Sequence, residues 1–286
     1  MKNTMNYYEK IQKDMVILQS RIDDCLNLRA EYRSFVEALP YKDQIIEKKD
    51  INKTIWICWF QGMQNAPELV QKCVQNNIRK LNDYEKIILT SDNFSQYVNV
   101  KPLILEKWKK GIISNTAFSN ILRLEILIKY GGIWMDSTVL FTGESFPKYV
   151  TNYPIFMFSS WKWITGDIRP ISTWFIAAQK EHPFFKAVLD CLYKYWTDKN
   201  ELVTYFVFHM FFSFVIERYP IMYSQFTRIS NVPPHYMQFE LQNKFSELRF
   251  RELTDMSSIH KLSYKLDKEI FDDKENLYNY LIRNYL

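Results

Sequence analysis

Residues 114–141 read SNTAFSNILRLEILIKYGGIWMDSTVLF, and the fold is decided by how this run is parsed. Phe118, Ile121, Leu122, Leu124 and Leu127 recur at helical spacing, with Arg123 and Lys129 as charged interruptions, so an amphipathic helix is expected up to Tyr130. Gly131-Gly132 stops it, because glycine accepts the left-handed backbone that follows a helix C-terminus. Ile133-Trp134-Met135 then reads as a short buried strand. Asp136 stands at its end, followed by the hydroxyls of Ser137 and Thr138. In α/β proteins ligands bind in the crevice beyond the carboxyl ends of the strands, which is where this order places Asp136.

Upstream, the segment from Lys53 to Phe60 (KTIWICWF) is β-branched and aromatic and reads as a first strand, broken at Gln61-Gly62. Pro67 opens a helix to about Leu81, since proline is favoured in the first turn, and Glu85 to Thr90 is a second strand. Strand, helix and strand in this order form a parallel βαβ unit. Leu103 to Lys110 is expected to be helical. Downstream, Pro154–Ser159 and Ser172–Ala178 read as strands, His182-Pro183 opens a helix to about Asp198, and Val203–Arg218 reads as another. Asn231 to Pro234 reads as a loop. The remainder looks polar and less regular, with HKLSYK isolated at 260–265 and a helix at the end. The class is α/β with a Rossmann-like N-terminal half. Neither GxGxxG nor GxxxxGK[ST] is present, which argues against dinucleotide oxidoreductases and P-loop NTPases.

Residues 5–39 contain neither proline nor glycine. Tyr8, Ile11, Met15, Leu18, Ile22, Cys25, Tyr32, Val36 and Leu39 follow a spacing of three and four that fits a heptad stripe, broken by Arg29. The expected organisation is a long helix over residues 1–45 and a main domain over 46–286. Such a stripe packs either on a second copy, giving a homo-oligomer, or on the main domain.

Composition bounds the rest. The 286 residues can bury a sizeable core, and 47% apolar with 24% charged residues is a globular balance. A net charge of +5, with Lys107-Trp108-Lys109-Lys110 as the densest basic cluster, is too mild for a nucleic-acid stripe. Cys25, Cys58, Cys73 and Cys191 form no CxxC pair, so neither a zinc site nor a disulfide framework is expected. The first residues lack a signal-peptide apolar core and Tyr205–Ile216 is too short to span a bilayer. A cytoplasmic protein, soluble or peripheral at the membrane's inner face, is expected.

Several residues are candidates on chemistry alone, each with a plainer alternative. Trp59, at the end of the first strand, could stack on a base or fill the core. Arg123 could face the crevice and grip phosphate or sugar oxygens as a fork, or lie on the surface. Asp136 could bind a divalent cation, or be a turn residue. His209 could be a buried core histidine, or an acceptor contact with Tyr205. Trp161 and Trp163 could stack on an acceptor sugar or cover the core.

Three blocks, TIWICWFQG at 54–62, AFSNILRLEILIKYGGIWMDSTV at 117–139 and TWFIAAQKEHPFF at 173–185, resemble the capsular polysaccharide synthesis glycosyltransferases. These belong with the sugar transferases of family thirty-two and, more distantly, the glucosylating clostridial toxins. The resemblance covers about residues 50–265. It implies a GT-A fold, a UDP-sugar donor, a manganese or magnesium ion, and hexose transfer with retained anomeric configuration to a growing, lipid-linked oligosaccharide or polysaccharide acceptor. By that resemblance Trp59 stacks on the base, with Gln61 and Gly62 in the turn beside it. Gly132 of the double glycine belongs to the donor site, and Arg123 contacts the donor sugar. Asp136 matches the first carboxylate of the DxD motif. Asn120 stands where relatives usually carry Asp, and Thr138 where the second motif carboxylate usually lies. With one carboxylate missing, His260 is the expected second metal ligand, and Lys261 and Lys265 would neutralise the leaving diphosphate. The alternative is a non-catalytic assembly subunit whose degenerate site no longer transfers sugar.

Overall fold

The computed structural model describes residues 7–160 and 170–286. Trp161 and Trp163 lie outside the described residues.

The central sheet has five strands in the order β2-β1-β3-β6-β5: β1 is Thr54–Cys58, β2 Glu85–Leu89, β3 Gly132–Met135, β5 Ile155–Ser159 and β6 Ile171–Ala178. β4, Val139–Phe141, lies outside it and pairs antiparallel with β7, Ile259–Lys261. β1 runs parallel to both β2 and β3, while β6 is antiparallel to β3 and to β5. The βαβ unit is present, with α2 (Glu68–Lys80) as its crossover. The sheet is therefore mixed, and the carboxyl ends of β1 and β3 lie side by side.

The helices build two layers. α1 is Tyr7–Glu37, α3 Pro102–Lys109, α4 Asn115–Tyr130, α5 Pro183–Asp198 and α6 Val207–Arg218. α4, α5 and α6 pack on one face of the sheet around Phe118, Leu122, Phe184, Val188 and Phe211. On the other face lie Ile55, Ile57, Ile133, Phe156 and Phe175. β3 is buried at all four positions because it sits mid-sheet with both faces covered, which is why its run is continuously apolar rather than alternating.

The helix-to-strand switch at residues 130–132 depends on both glycines. Gly131 has φ 67° and Gly132 φ 96°, backbone that L side chains rarely adopt. A Cβ on Gly132 would also lie 2.5 Å from the Thr54 carbonyl oxygen, and one on Gly131 would lie 2.8 Å from the Lys180 nitrogen. The pair thus lets α4 turn straight into β3 against β1, an arrangement tied by Trp56 Nε1 donating to the Gly131 carbonyl at 3.0 Å. At the other end of α4, the Ser114 hydroxyl accepts from the Ala117 N–H at 3.2 Å, a cap worth about 1 kcal/mol.

Several expectations need correction. α6 begins at Val207 rather than Val203, leaving Tyr205 in the turn before it. The expected loop at Asn231–Pro234 instead opens a helix, with Pro233 and Pro234 in its first turn, where a missing N–H costs nothing. The C-terminal part is more regular than its polarity implies. After α7 (Pro220–Ser224) it forms α8 (Val232–Glu240), α9 (Glu247–Met256) and β7. HKLSYK is not isolated, because Ile259–Lys261 pairs with β4 residue by residue.

Only the C-terminal part of the α1 stripe packs on the main domain. Tyr32, Val36 and Leu39 are buried in the same core as α5 and α6, with Leu28 taking the place of Arg29 beside them and the Tyr32 ring edge-on to Phe211 at 5.4 Å. The Tyr219 hydroxyl donates to the Leu39 carbonyl at 3.1 Å. Tyr8 and Met15, by contrast, are 75% and 65% exposed.

Candidate functional site

A cleft of about 480 Å³ opens at the carboxyl ends of β1 and β3, within the roughly 300–1,000 Å³ common for small-ligand sites. Most of its lining comes from four segments. Cys58, Trp59 and Gln61 come from the end of β1, and Trp134, Asp136 and Thr138 from the end of β3 and its turn. α4 contributes Thr116, Ser119, Asn120 and Arg123, β7 contributes Lys261, and the segment after it contributes Tyr264 and Lys265. Thr116, Asn120 and Arg123 sit at i, i+4 and i+7, so one polar edge of an otherwise apolar helix faces the cleft.

Asp136 is the hub. Its N–H donates to the Trp174 carbonyl at 2.8 Å, and its carbonyl accepts from the Val139 N–H at 2.9 Å, closing the Asp-Ser-Thr turn into β4. Its Oδ1 accepts from Arg123 at 3.1 Å and from Trp134 Nε1 at 3.0 Å. Its Oδ2 faces Lys261 Nζ at 3.3 Å, and the same ammonium donates to the Thr138 hydroxyl. Burial would raise the Asp136 carboxyl, but Lys261 and then Arg123 outweigh it and hold the group below its usual range.

Arg123 is 5% exposed. It also donates to the Thr173 carbonyl at 2.7 Å and lies 4.8 Å over the Trp134 ring, a cation–π contact. The Thr173 hydroxyl is hydrogen-bonded in turn with His209 Nε2 at 3.3 Å, so β6 joins Arg123 to His209 on the cleft wall.

Lys261 reaches Asp136 across 125 positions of sequence because β4 and β7 pair. Asn76 and Asn77 of α2 clamp β4 from behind, donating to the Phe141 and Val139 carbonyls at 2.7 Å each. Trp59 and Tyr264 form an aromatic corner, ring centroids 5.5 Å apart and edge-on. The buried Trp59 Nε1 has no hydrogen-bond partner among the described residues, a donor facing a cost unless a ligand oxygen meets it.

The structure thus brings together Trp59, Gln61, Asn120, Arg123, Asp136, Thr138, Lys261 and Lys265. Three expected residues lie elsewhere. Gly62 (φ 80°) shapes the turn after β1, where the Gln64 side chain fills the space beside it. Gly132 packs against the β1 backbone and makes room for the sheet rather than for a ligand. His260 is corrected as a metal ligand. Side chains alternate along β7, so with Lys261 turned to Asp136, His260 is fully buried and bonded through Nε2 to Thr142 Oγ1 at 3.1 Å. Burial pushes its pKa down to about 4. Thr116, Ser119, Thr173, Gln238 and Tyr264, which no motif in the sequence marks, also line the cleft. The α4 pair lies on the Arg123 side of the helix by spacing, Ser119 four and Thr116 seven residues before it, whereas Thr173 and Tyr264 depend on long-range pairing.

The donor set does not fit a manganese or magnesium ion held by the protein. Such ions take a shell of oxygen ligands with carboxylates prominent. Here both oxygens of the one carboxylate in the lining are engaged by cations, and so is the Thr138 hydroxyl. Among the described residues no three His, Cys, Asp or Glu side chains converge.

Comparison with known proteins follows the same direction as this geometry. Over 167 residues the chain is 24% identical to O-glycosyltransferase braB of Annulohypoxylon truncatum, a match covering 51% of this chain and 38% of that protein. It therefore spans well under half the length of that curated relative. A solved structure titled PaToxG Glycosyltransferase aligns over 92% of this chain and 95% of its own, at 15% identity and a TM-score of 0.45. An α/β sheet with a polar, cation-rich cleft at its strand ends, in a chain similar to braB, is glycosyltransferase-like. The family can be stated outright. Residues 7–281 match the profile described as capsular polysaccharide synthesis protein, and the chain belongs to that family.

Proposed function

We propose that this chain is a retaining glycosyltransferase that moves a hexose from a UDP-sugar to a growing capsular or other cell-surface polysaccharide. The observation that carries the reading is that Arg123, Lys261 and Lys265 line one cleft together with Trp59. A nucleotide diphosphate asks for an aromatic face for its base and fixed cations for its phosphates.

Trp59 takes the base, with Gln61 beside it, and Asn120 and Arg123 take the ribose and donor sugar. Transfer breaks the bond between the anomeric carbon and the diphosphate oxygen. The acceptor hydroxyl oxygen bonds to that carbon on the same face, and its proton passes to the departing phosphate. No protein nucleophile is assigned. The chain contributes position and charge, with cations preorganised where negative charge develops on the leaving group. Asp136 holds Arg123 and Lys261 in place. Tyr205 and His209 stand on the acceptor side, and the acceptor is a lipid-linked glycan at the cytoplasmic membrane face. No described helix is long and apolar enough to cross a membrane.

The test is release of UDP from a panel of UDP-sugars, with and without a polysaccharide acceptor. Turnover of at least one donor is expected. Absence of both turnover and binding across the panel removes the reading.

A further inference from the structure

We infer that the Lys261 ammonium does the work a divalent cation would do in this cleft, so that donor binding needs no metal. The inference rests on the sugar-nucleotide reading above and concerns how the diphosphate is held.

Lys261 Nζ sits between Asp136 Oδ2, at 3.3 Å, and Thr138 Oγ1. These oxygens belong to the two positions of the turn from which side chains would otherwise reach a shared cation. One site is therefore filled by a cation already attached to the chain. Its placement is built into the fold, because β7 is registered on β4 with Lys261 opposite Val139, and the Leu262 N–H donates to the Thr138 carbonyl at 3.0 Å. The side chain is 20% exposed, so the ammonium is pinned on one side and open to the cleft on the other. An ammonium has three donors, and the two partners leave one for a phosphate oxygen.

Charge decides between a metal-loaded and a metal-free site. The charged groups lining the cleft are Arg123, Lys261 and Lys265 against Asp136 alone, a positive surplus. A diphosphate diester is a dianion and is matched by such a lining. A metal–diphosphate complex has much of that charge cancelled, and the free ion would be repelled by Arg123 and Lys261 at close range. Asp136 is in this account a positioning residue, the anion that lets two cations share a small space.

The experiment is calorimetric titration of UDP into the intact chain, stripped with EDTA and then supplied with manganese, repeated for Lys261→Met and Lys261→Arg. Metal-free binding within about threefold of that with manganese is expected. Lys261→Met should weaken metal-free binding about tenfold or more, as loss of a charge-assisted phosphate contact does, and Lys261→Arg should keep most of it. Binding that appears only with manganese overturns the inference and leaves the sugar-nucleotide reading standing. UDP binding in neither condition overturns both. Unchanged metal-free binding by a folded Lys261→Met chain also overturns it. If Lys261→Met does not fold, the comparison with and without metal in the unsubstituted chain decides.

Discussion

Replacing Asp136 by alanine separates an ion-pair hub from a metal site by the sign of its effect on stability. Arg123 is 5% exposed and Asp136 28% exposed on its side chain, so the pair is largely but not wholly desolvated. Removing one partner of a buried pair strands the other charge, at a cost of about 3–5 kcal/mol. Lys261 can swing toward water and Asp136 is partly exposed, which places the expected loss near the low end, about 3 kcal/mol. At 2–4 °C per kcal/mol for chains of this size, that is a fall in melting temperature of roughly 6–12 °C. Adding Arg123→Met to the alanine variant should restore part of it, because the methionine would lie against Trp134 and Phe208, the rings that Arg123 now covers. Calorimetric melting in metal-free buffer reads both variants. A carboxylate kept free for a metal would behave oppositely, since its removal leaves no stranded charge. A melting temperature within roughly 2 °C of the unsubstituted chain, or above it, would refute the reasoning.

Three further expectations follow from the same geometry. Burial pushes His260 and His182 down to about 4, so the folded chain keeps both neutral while the unfolded chain protonates them below pH 6.5. Their contribution is whole above that pH and lost on acidification toward 4, up to about 3 kcal/mol each; in urea unfolding from pH 7 to 4.5, His260→Gln should lose its share of the slope, and an identical slope would contradict this. Gly132→Ala places a methyl 2.5 Å from the Thr54 carbonyl at φ 96° and should cost about 1–3 kcal/mol, whereas a melting point equal to the unsubstituted chain would show that β1 yields easily. The exposed Tyr8, Ile11 and Met15 of α1 should pair two copies, so light scattering at micromolar concentration should give a dimer that Ile11→Glu with Met15→Glu dissociates; a monomeric unsubstituted chain removes that claim.

The elements that could be read from the sequence are those whose pattern is local. The β1–α2–β2 unit and the α4–glycine–β3 switch announce themselves through continuous apolar runs, a first-turn proline and paired glycines. Asp136 and Arg123 were each legible as a candidate, one at a strand end and one on a largely apolar helix, but not as the ion pair they form. Lys261 was legible as a charge but not as the partner of Asp136. That contact exists only because two three-residue strands, β4 and β7, find each other across the chain, and such short strands carry little periodicity. The same pairing decides which of His260 and Lys261 faces the cleft, since a one-residue change of register exchanges them. α8 was hidden by Pro233 and Pro234, which mark a loop inside a helix and a start when placed in its first turn.

The central claim is that the cleft at the ends of β1 and β3 is a nucleotide-sugar site, and a crystal structure of the chain soaked with UDP tests it most directly. The uracil ring is expected on Trp59 and the diphosphate within hydrogen-bond distance of Lys261 and Lys265. UDP bound away from this cleft, or a cleft left empty at saturating UDP, would contradict it.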